Sequence, residues 1–184
     1  MITVSPSQIS QIDAYAEKTL GIPTRVLMER AGEGVALAIA ERQKPSSVLI
    51  FCGGGNNGGD GYALALSLHR RGFSPLAVDA FGKGQRSEAG SYFLEAYKAL
   101  FGEPLSLEEG LKQKAAICVD ALFGTGARGP LPKEAGRIIS FFKESGAYKV
   151  AVDIPLGVDG ENQITAVDYG LHAILHIVRC QWQK

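Results

Sequence analysis

Short apolar runs alternate with helix-length segments through the middle of the chain, and this alternation restricts the fold more than any other feature. Four runs, 48–52, 76–81, 115–119 and 150–154, are short and almost continuously apolar, as strands buried on both faces are. Segments 58–71, 87–101 and 133–145 between them have the length and apolar spacing of helices. A strand that follows a helical crossover runs parallel to its predecessor, so the pattern predicts an α/β domain with a mainly parallel sheet between helices.

The first 45 residues predict two further helices. Ser5-Pro6 and Thr24 are typical of helix starts, and Gly21 of a helix end. Apolar residues recur at helical spacing and predict one buried face on each helix: Ile9, Ile12, Tyr15, Ala16 and Leu20 on the first, and Val26, Leu27, Ala31, Val35, Ala38 and Ile39 on the second.

The length and composition favour one soluble domain over residues 1–184. Lysine plus arginine and aspartate plus glutamate number 19 each, so no net charge attracts nucleic acid or an anionic membrane. Three cysteines without CxxC spacing argue against a disulfide framework or a zinc site. We see no signal peptide and no apolar run long enough to span a membrane, so we expect a cytoplasmic protein.

A glycine-rich loop, residues 53–61, directly follows the first predicted strand. Six of its nine residues are glycine, and the sequence reads GGGNNGGDG. Glycine allows positive φ and a close approach of backbone to ligand, and the helix that follows offers unpaired N–H groups to a phosphate. A tight turn is the plainer alternative. The spacing is neither the dinucleotide fingerprint GxGxxG nor a P-loop, which needs a lysine.

Two more segments place acidic residues where predicted strands end, and parallel strands all end at the same edge of the sheet. Asp120 opens DALFGTGARGP and is either a ligand-binding carboxylate or the cap of a turn. Asp153 lies near the end of an apolar strand, where its ionised form must find polar partners. It is therefore a candidate acid–base residue, unless nearby loop amides satisfy it.

These segments together resemble the YjeF N-terminal domain family, the NAD(P)H-hydrate epimerases. The resemblance covers about residues 10 to 160: Ile12-Asp13 and LMERAG at 27–32 are similar to its N-terminal signature, and the three loops to its GxGNNGGDG, DALFGTG and DIPSGxD motifs. It implies a Rossmann-like three-layer αβα sandwich and epimerisation of the R and S forms of hydrated NADH and NADPH, NAD(P)HX, in cofactor repair.

Site residues follow from the same resemblance. Asp153 is the implied catalytic residue, and Asn57 with Asp120 would hold one potassium ion per subunit. The implied partners are a second copy in a homodimer and a companion NAD(P)HX dehydratase. The implied substrate-binding residues are Asn56, Asn57, Gly58, Gly59, Asp60, Gly124, Thr125, Gly126, Ala127, Arg128, Gly129, Pro130 and Asp153.

The chain departs from the family pattern in two places. Leu156 replaces the serine of DIPSG, which removes a hydroxyl near the implied ion. After about residue 165 the sequence does not match the family's usual Thr-rich segment and Lys-Pro-Gly, so we expect a diverged or truncated C-terminal part. These departures leave a second hypothesis open: a non-catalytic nucleotide-binding or scaffold module of the same fold.

Overall fold

The computed structural model describes residues 6–82, 86–124 and 131–156. Six helices and five strands lie along this part of the chain, and they alternate after the first helix in an order that confirms the α/β class. In sequence they are α1 (Pro6–Lys18), α2 (Thr24–Ala40), β1 (Ser47–Cys52), α3 (Asn56–His69), β2 (Ser74–Asp79), α4 (Glu88–Phe101), β3 (Leu105–Ser106), α5 (Leu107–Gly110), β4 (Ile117–Ala121), α6 (Lys133–Glu144) and β5 (Tyr148–Ala151).

The strands form one parallel sheet in the order β3-β2-β1-β4-β5. The chain builds outward from β1 in one direction to β3, then returns to the other side of β1 for β4 and β5. The strand order therefore reverses between β1 and β4, and the carboxyl ends of these two strands flank the crevice where open α/β sheets bind ligands.

Helices cover both faces of the sheet, because alternate side chains of each buried strand point to opposite faces. On β1, Val48, Ile50 and Cys52 pack with residues of α2, α3 and α4. Leu49 and Phe51 pack on the opposite face with residues of α5 and α6. The predicted three-layer arrangement is confirmed.

The short elements β3 and α5 were not predicted. Two residues of β3 are too few to give an apolar pattern, although α5 had a sequence signal. The Ser106 hydroxyl accepts a hydrogen bond from the N–H of Glu109, and the Glu109 carboxylate accepts one from the N–H of Ser106. This capping box is the S-x-x-E pattern that commonly opens a helix.

The sequence predicted α1 and α2 correctly as helices, but the predicted N-cap of α2 and part of the predicted buried faces were wrong. The residue that caps α2 is Pro23, while the Thr24 hydroxyl donates to Glu17 at 2.8 Å. The apolar face expected on α1 is largely exposed: Ile12 is 42%, Tyr15 57% and Leu20 48% exposed, and on α2 Val26 is 38% exposed. Helical spacing identifies a common face but not whether the rest of the domain covers it.

No helix within the described ranges is long and apolar enough to cross a membrane.

Candidate active site

Helix α3 begins directly beyond the carboxyl end of β1. Gly55 is its N-cap, and Asn56, Asn57 and Gly58 form its first turn without a side-chain cap. The first N–H groups of a helix have no partner within the helix and carry its positive dipole end. This turn therefore supplies amide donors to an anion beside the switch point of the sheet.

The glycines of the loop do not adopt the positive φ that the sequence suggested, and two of them serve close backbone packing. None of the glycines at 53–61 has a positive φ. A Cβ on Gly58 would lie 1.9 Å from the carbonyl oxygen of Gly53, and one on Gly53 would lie 2.0 Å from that of Leu122. These glycines allow α3 to pack against the ends of β1 and β4, whereas a Cβ on Gly55 would meet nothing within 4 Å.

Asn57 is buried at the centre of the site. Its Nδ2 donates to the carbonyl oxygen of Phe123 at 2.8 Å, which joins the glycine loop to the segment after β4. Its Oδ1 is buried and has no hydrogen-bond partner among the residues that the structure describes. A buried amide oxygen without a partner is costly, and a ligand or ion that reaches it would remove that cost.

Asp120 lies in β4 and is 1% exposed. Its Oδ1 accepts a hydrogen bond from the N–H of Leu122 at 3.1 Å, and its Oδ2 accepts one from the N–H of Leu156 at 2.6 Å. The carboxylate thus ties the end of β4 to the turn after β5, as the turn-capping alternative anticipated. The Leu156 side chain, 2% exposed, packs in the hydrophobic core instead of facing the site.

Asp153 has a strained backbone at the beginning of this turn. Its φ is +73°, a left-handed conformation that costs free energy for any residue except glycine, although aspartate tolerates it better than most. A Cβ on Gly124 would lie 2.7 Å from the Asp153 Oδ2 and 3.6 Å from the Asn57 Cβ. The three sequence motifs therefore meet at Gly124, as the sequence predicted.

Two other predicted ligand residues line a neighbouring cavity, and six lie outside the described part. Asn56 and Asp60 line a separate cavity of about 530 Å³ with residues of α1 and α2, among them Asp13 and Lys18. The NNGGD sequence thus faces two different spaces, because side chains on successive helix positions diverge. Six predicted residues lie outside the described ranges: Thr125, Gly126, Ala127, Arg128, Gly129 and Pro130.

A buried polar cluster at the end of β2 was missed. Asp79 Oδ2 accepts a hydrogen bond from Arg86 at 2.8 Å, with side chains 23% and 11% exposed respectively. Burial lowers the pKa of Arg86, but Asp79 and Tyr62 outweigh it and raise that pKa. Burial raises the pKa of Cys52, and the Asp79 carboxylate raises it further. The predicted strand continued to residue 81, which hid the position of Asp79 at the strand's end.

The fold and the meeting of amide donors with two carboxylates at the switch point define a class: α/β domains that bind a ligand where the strand order reverses. Residues 24–181 match the family model described as YjeF-related protein N-terminus, and the chain belongs to this family.

Curated relatives and a solved structure agree with this family membership. The chain is 34% identical over 164 residues to an NAD(P)H-hydrate epimerase of Rhodopirellula baltica, covering 84% of this chain and 65% of that protein. It is 38% identical to a bifunctional NAD(P)H-hydrate repair enzyme Nnr of Archaeoglobus fulgidus, covering 86% of this chain and 33% of that one. The crystal structure of yeast ynu0 superposes with a TM-score of 0.71 at 29% identity, covering 86% of this chain and 72% of the yeast chain. The chain thus spans less than two thirds of the length of these first curated relatives.

Proposed function

We propose that this chain epimerises the R and S forms of hydrated NADH and NADPH, with Asp153 as the acid–base residue. The supporting observation is the strained Asp153, whose carboxylate lies beside Gly124 and Asn57 at the ligand-binding edge of the sheet. Backbone strain of this kind persists where surrounding structure enforces it, and it is concentrated at functional sites. The relatives whose names state this activity match most of the chain.

Epimerisation inverts the carbon beside the ring nitrogen, and in one route its hydroxyl leaves and returns on the other face. The nitrogen lone pair can expel it while a protonated Asp153 gives its proton to the leaving oxygen, which departs as water. Water then adds to the opposite face of the resulting iminium and returns a proton to the carboxylate. In the alternative route of ring opening, the Asp153 carboxylate would instead take the hydroxyl proton while the carbon–nitrogen bond breaks and its electron pair stays on nitrogen, and would return the proton when the ring closes on the other face. A positioned acid–base group accelerates such steps by about 10²- to 10⁴-fold.

The α3 N-terminus is the anchor for the substrate's phosphates, because its first-turn amides have no acceptor within the helix. Arg128, in the segment after β4, would add a cation to the same ligand. Fixing the phosphates away from the ring holds the reacting carbon near Asp153, so that binding free energy contributes to orientation.

A potassium ion fits the residues around Asn57. The buried Asn57 Oδ1 has no hydrogen-bond partner in the described part of the chain, and Asp120 lies in β4, which pairs with β1 directly before the loop that carries Asn57. Alkali cations bind carbonyl-type and carboxylate oxygens, and a bound cation supplies positive charge that stabilises nearby phosphate or carboxylate groups. Leu156 provides no side-chain ligand there, so any contribution from this residue would come from its backbone.

A homodimer and a companion dehydratase complete the proposal. Ile12, Tyr15 and Leu20, on and after α1, are large exposed apolar side chains and support pairing with a second copy, which would remove them from water. Relatives named as bifunctional repair enzymes support a second repair activity that acts on the same substrate.

Chiral chromatography of NADHX and NADPHX tests the proposal. We expect a single purified epimer to convert to the equilibrium mixture with the protein, in potassium buffer, much faster than with heat-inactivated protein. A sodium buffer of equal ionic strength tests the ion. Conversion no faster than the spontaneous rate in both buffers would contradict the proposed function.

A further inference from the structure

We propose that the cavity beyond the ends of β2 and β3 receives the adenosine half of the substrate. The inference rests on the proposed function and adds the direction in which the dinucleotide lies across the sheet. The main observation behind it is a cavity of about 780 Å³, whose walls include Asp79, Phe81, Leu105 and Pro132.

The order of the strands sets the direction. Asp153 follows β5, so the nicotinamide ring, if it reacts there, lies over the β4–β5 side of the sheet. The α3 N-terminus follows β1, at the middle of the sheet, and is the place for the phosphates. A dinucleotide anchored at its centre places its other nucleoside on the opposite side of β1, over β2 and β3.

The cavity has the size for a nucleoside, and part of its wall is apolar. Ligand pockets of about 300–1,000 Å³ with mainly apolar walls and a few polar groups are typical for molecules of this size. Phe81 and Leu105 offer apolar contact to a purine, and Phe81 is half-buried. The Glu108–Arg137 ion pair joins α5 to α6 on the same wall.

Two stacked rings connect the cavity to the active site. Phe81 stacks on Phe123 with centroids 5.3 Å apart and planes at 29°. The Phe123 carbonyl accepts the hydrogen bond from Asn57 that holds the glycine loop. The two stacked rings therefore lie between a ligand against Phe81 and the backbone carbonyl that Asn57 contacts.

Asp79 occupies the position that dinucleotide-binding sheets use to contact ribose. It ends the second strand of the unit, about twenty positions after Gly59, where such folds carry an acidic residue for the ribose hydroxyls and an arginine nearby where the ribose carries a phosphate. In this chain both side chains are present, with Arg86 bonded to Asp79 at 2.8 Å. The glycine loop lacks the spacing of that motif, so the correspondence is one of position in the sheet.

A cavity-filling variant with a matched control tests the assignment. Glu134 lies in the first turn of α6, is exposed and lines the cavity, whereas Glu144 ends the same helix and is also exposed. We expect Glu134→Trp to raise the KM for NADHX about tenfold, which corresponds to about 1.4 kcal/mol. It should leave the KM for hydrated reduced nicotinamide mononucleotide, which lacks the adenosine half, unchanged. Glu144→Trp should change neither KM.

Adenosine monophosphate provides a measurement that needs no catalysis. We expect it to raise the melting temperature of the wild type and of Glu144→Trp, and to raise that of Glu134→Trp by less than half as much. Phe81→Leu, which keeps an apolar side chain against Phe123, should also reduce this shift.

The outcomes separate the two proposals. Suppose that wild-type protein epimerises neither substrate, but adenosine monophosphate still raises its melting temperature more than that of Glu134→Trp. The proposed function then fails and the cavity assignment stands. If the wild type is active and Glu134→Trp affects both substrates equally or neither, the cavity assignment is overturned. Equal protection of Glu134→Trp and wild type by adenosine monophosphate would overturn it as well.

Discussion

Asp79, which is half-buried, and Asp120, which is buried, lie on the two strands that flank β1, and the protein stabilises their carboxylates in different ways. Asp79 ends β2, and its Oδ2 bonds to the guanidinium of Arg86. Asp120 lies one residue before the end of β4, and its two oxygens accept backbone N–H groups of Leu122 and Leu156. One half of the sheet edge thus uses a side-chain ion pair, and the other uses main-chain amides.

A single substitution can remove the side-chain ion pair, whereas the backbone amides remain whatever side chains their residues carry. A hydrogen bond from a backbone amide persists whatever side chain its residue carries, so the Leu156 substitution leaves the Asp120 bond in place. The Asp79–Arg86 pair depends on two side chains, and either can be replaced. The β4–β5 half is therefore suited to fixed chemistry, and the β2–β3 half to adjustable ligand selectivity.

The largest expected effect is that of a substitution in the β4–β5 half of the sheet edge. Asp153→Asn should lower kcat for epimerisation by at least 10²-fold, because asparagine cannot transfer the proton. Asparagine also tolerates a left-handed φ, so the melting temperature should change little. Initial rates from chiral chromatography, beside thermal unfolding of both proteins, measure this. Activity within threefold of wild type in a folded variant would remove Asp153 from the mechanism.

Leu156→Ser restores the serine of the family's DIPSG motif and tests whether the β4–β5 half of the sheet edge tolerates it. We expect it to lower the free energy of unfolding by about 3 kcal/mol, because a leucine that is 2% exposed loses its core contacts. The Asp120 bond to the residue 156 amide should survive. Urea unfolding measures the loss, and Leu100→Ser, at a leucine that is 64% exposed, is the control. Greater stabilisation by potassium than in wild type would show that the hydroxyl contributes to an ion site.

Asp79→Asn tests the side-chain half. Breaking the pair should lower the free energy of unfolding by about 2 kcal/mol, below the range for fully buried pairs because Asp79 is 23% exposed. A double-mutant cycle with Arg86→Gln isolates the interaction between the two side chains. A coupling free energy near zero would show that Arg86 is held by other contacts.

Asp120→Asn has the smallest expected effect, about 1.5 kcal/mol. The asparagine side chain has one acceptor oxygen, so either the Leu122 or the Leu156 amide loses its acceptor in a buried environment. Hydrogen exchange of these two amides, together with urea unfolding, identifies which bond is lost. Unchanged protection at both amides would show that the Asp120 carboxylate is not what holds the β4–β5 half together.

The sequence predicted most of the fold because each long element has a complete pattern of its own. The apolar run that became β1 and the spacing of α4 and α6 needed no tertiary information. β3 has only two residues, so its existence depends on pairing with β2, which no local pattern records. The exposure of Tyr15 likewise depends on which surfaces the rest of the domain covers.

The meeting of the motifs that carry Asn57, Asp120 and Asp153 at one edge of the sheet was predictable, because each motif follows a predicted strand. The close backbone packing of the loop glycines was not predictable. A pattern of glycines shows that Cβ atoms are absent, but not which atoms lie where they would be. The Asp79–Arg86 pair was missed because the apolar pattern extends past Asp79 to Phe81, so the predicted strand ended two residues late.

The contact between Gly58 and Gly53 has a consequence for how this site can evolve. A methyl group at residue 58 would lie 1.9 Å from a backbone oxygen, and no change of rotamer elsewhere can make room for it. Lineages can therefore exchange the side chains around the crevice while the first turn of α3 stays at one distance from β1. The scaffold fixes the position of the α3 N-terminus, where we propose that phosphate binds, by geometry alone, even in a descendant that has lost the acid.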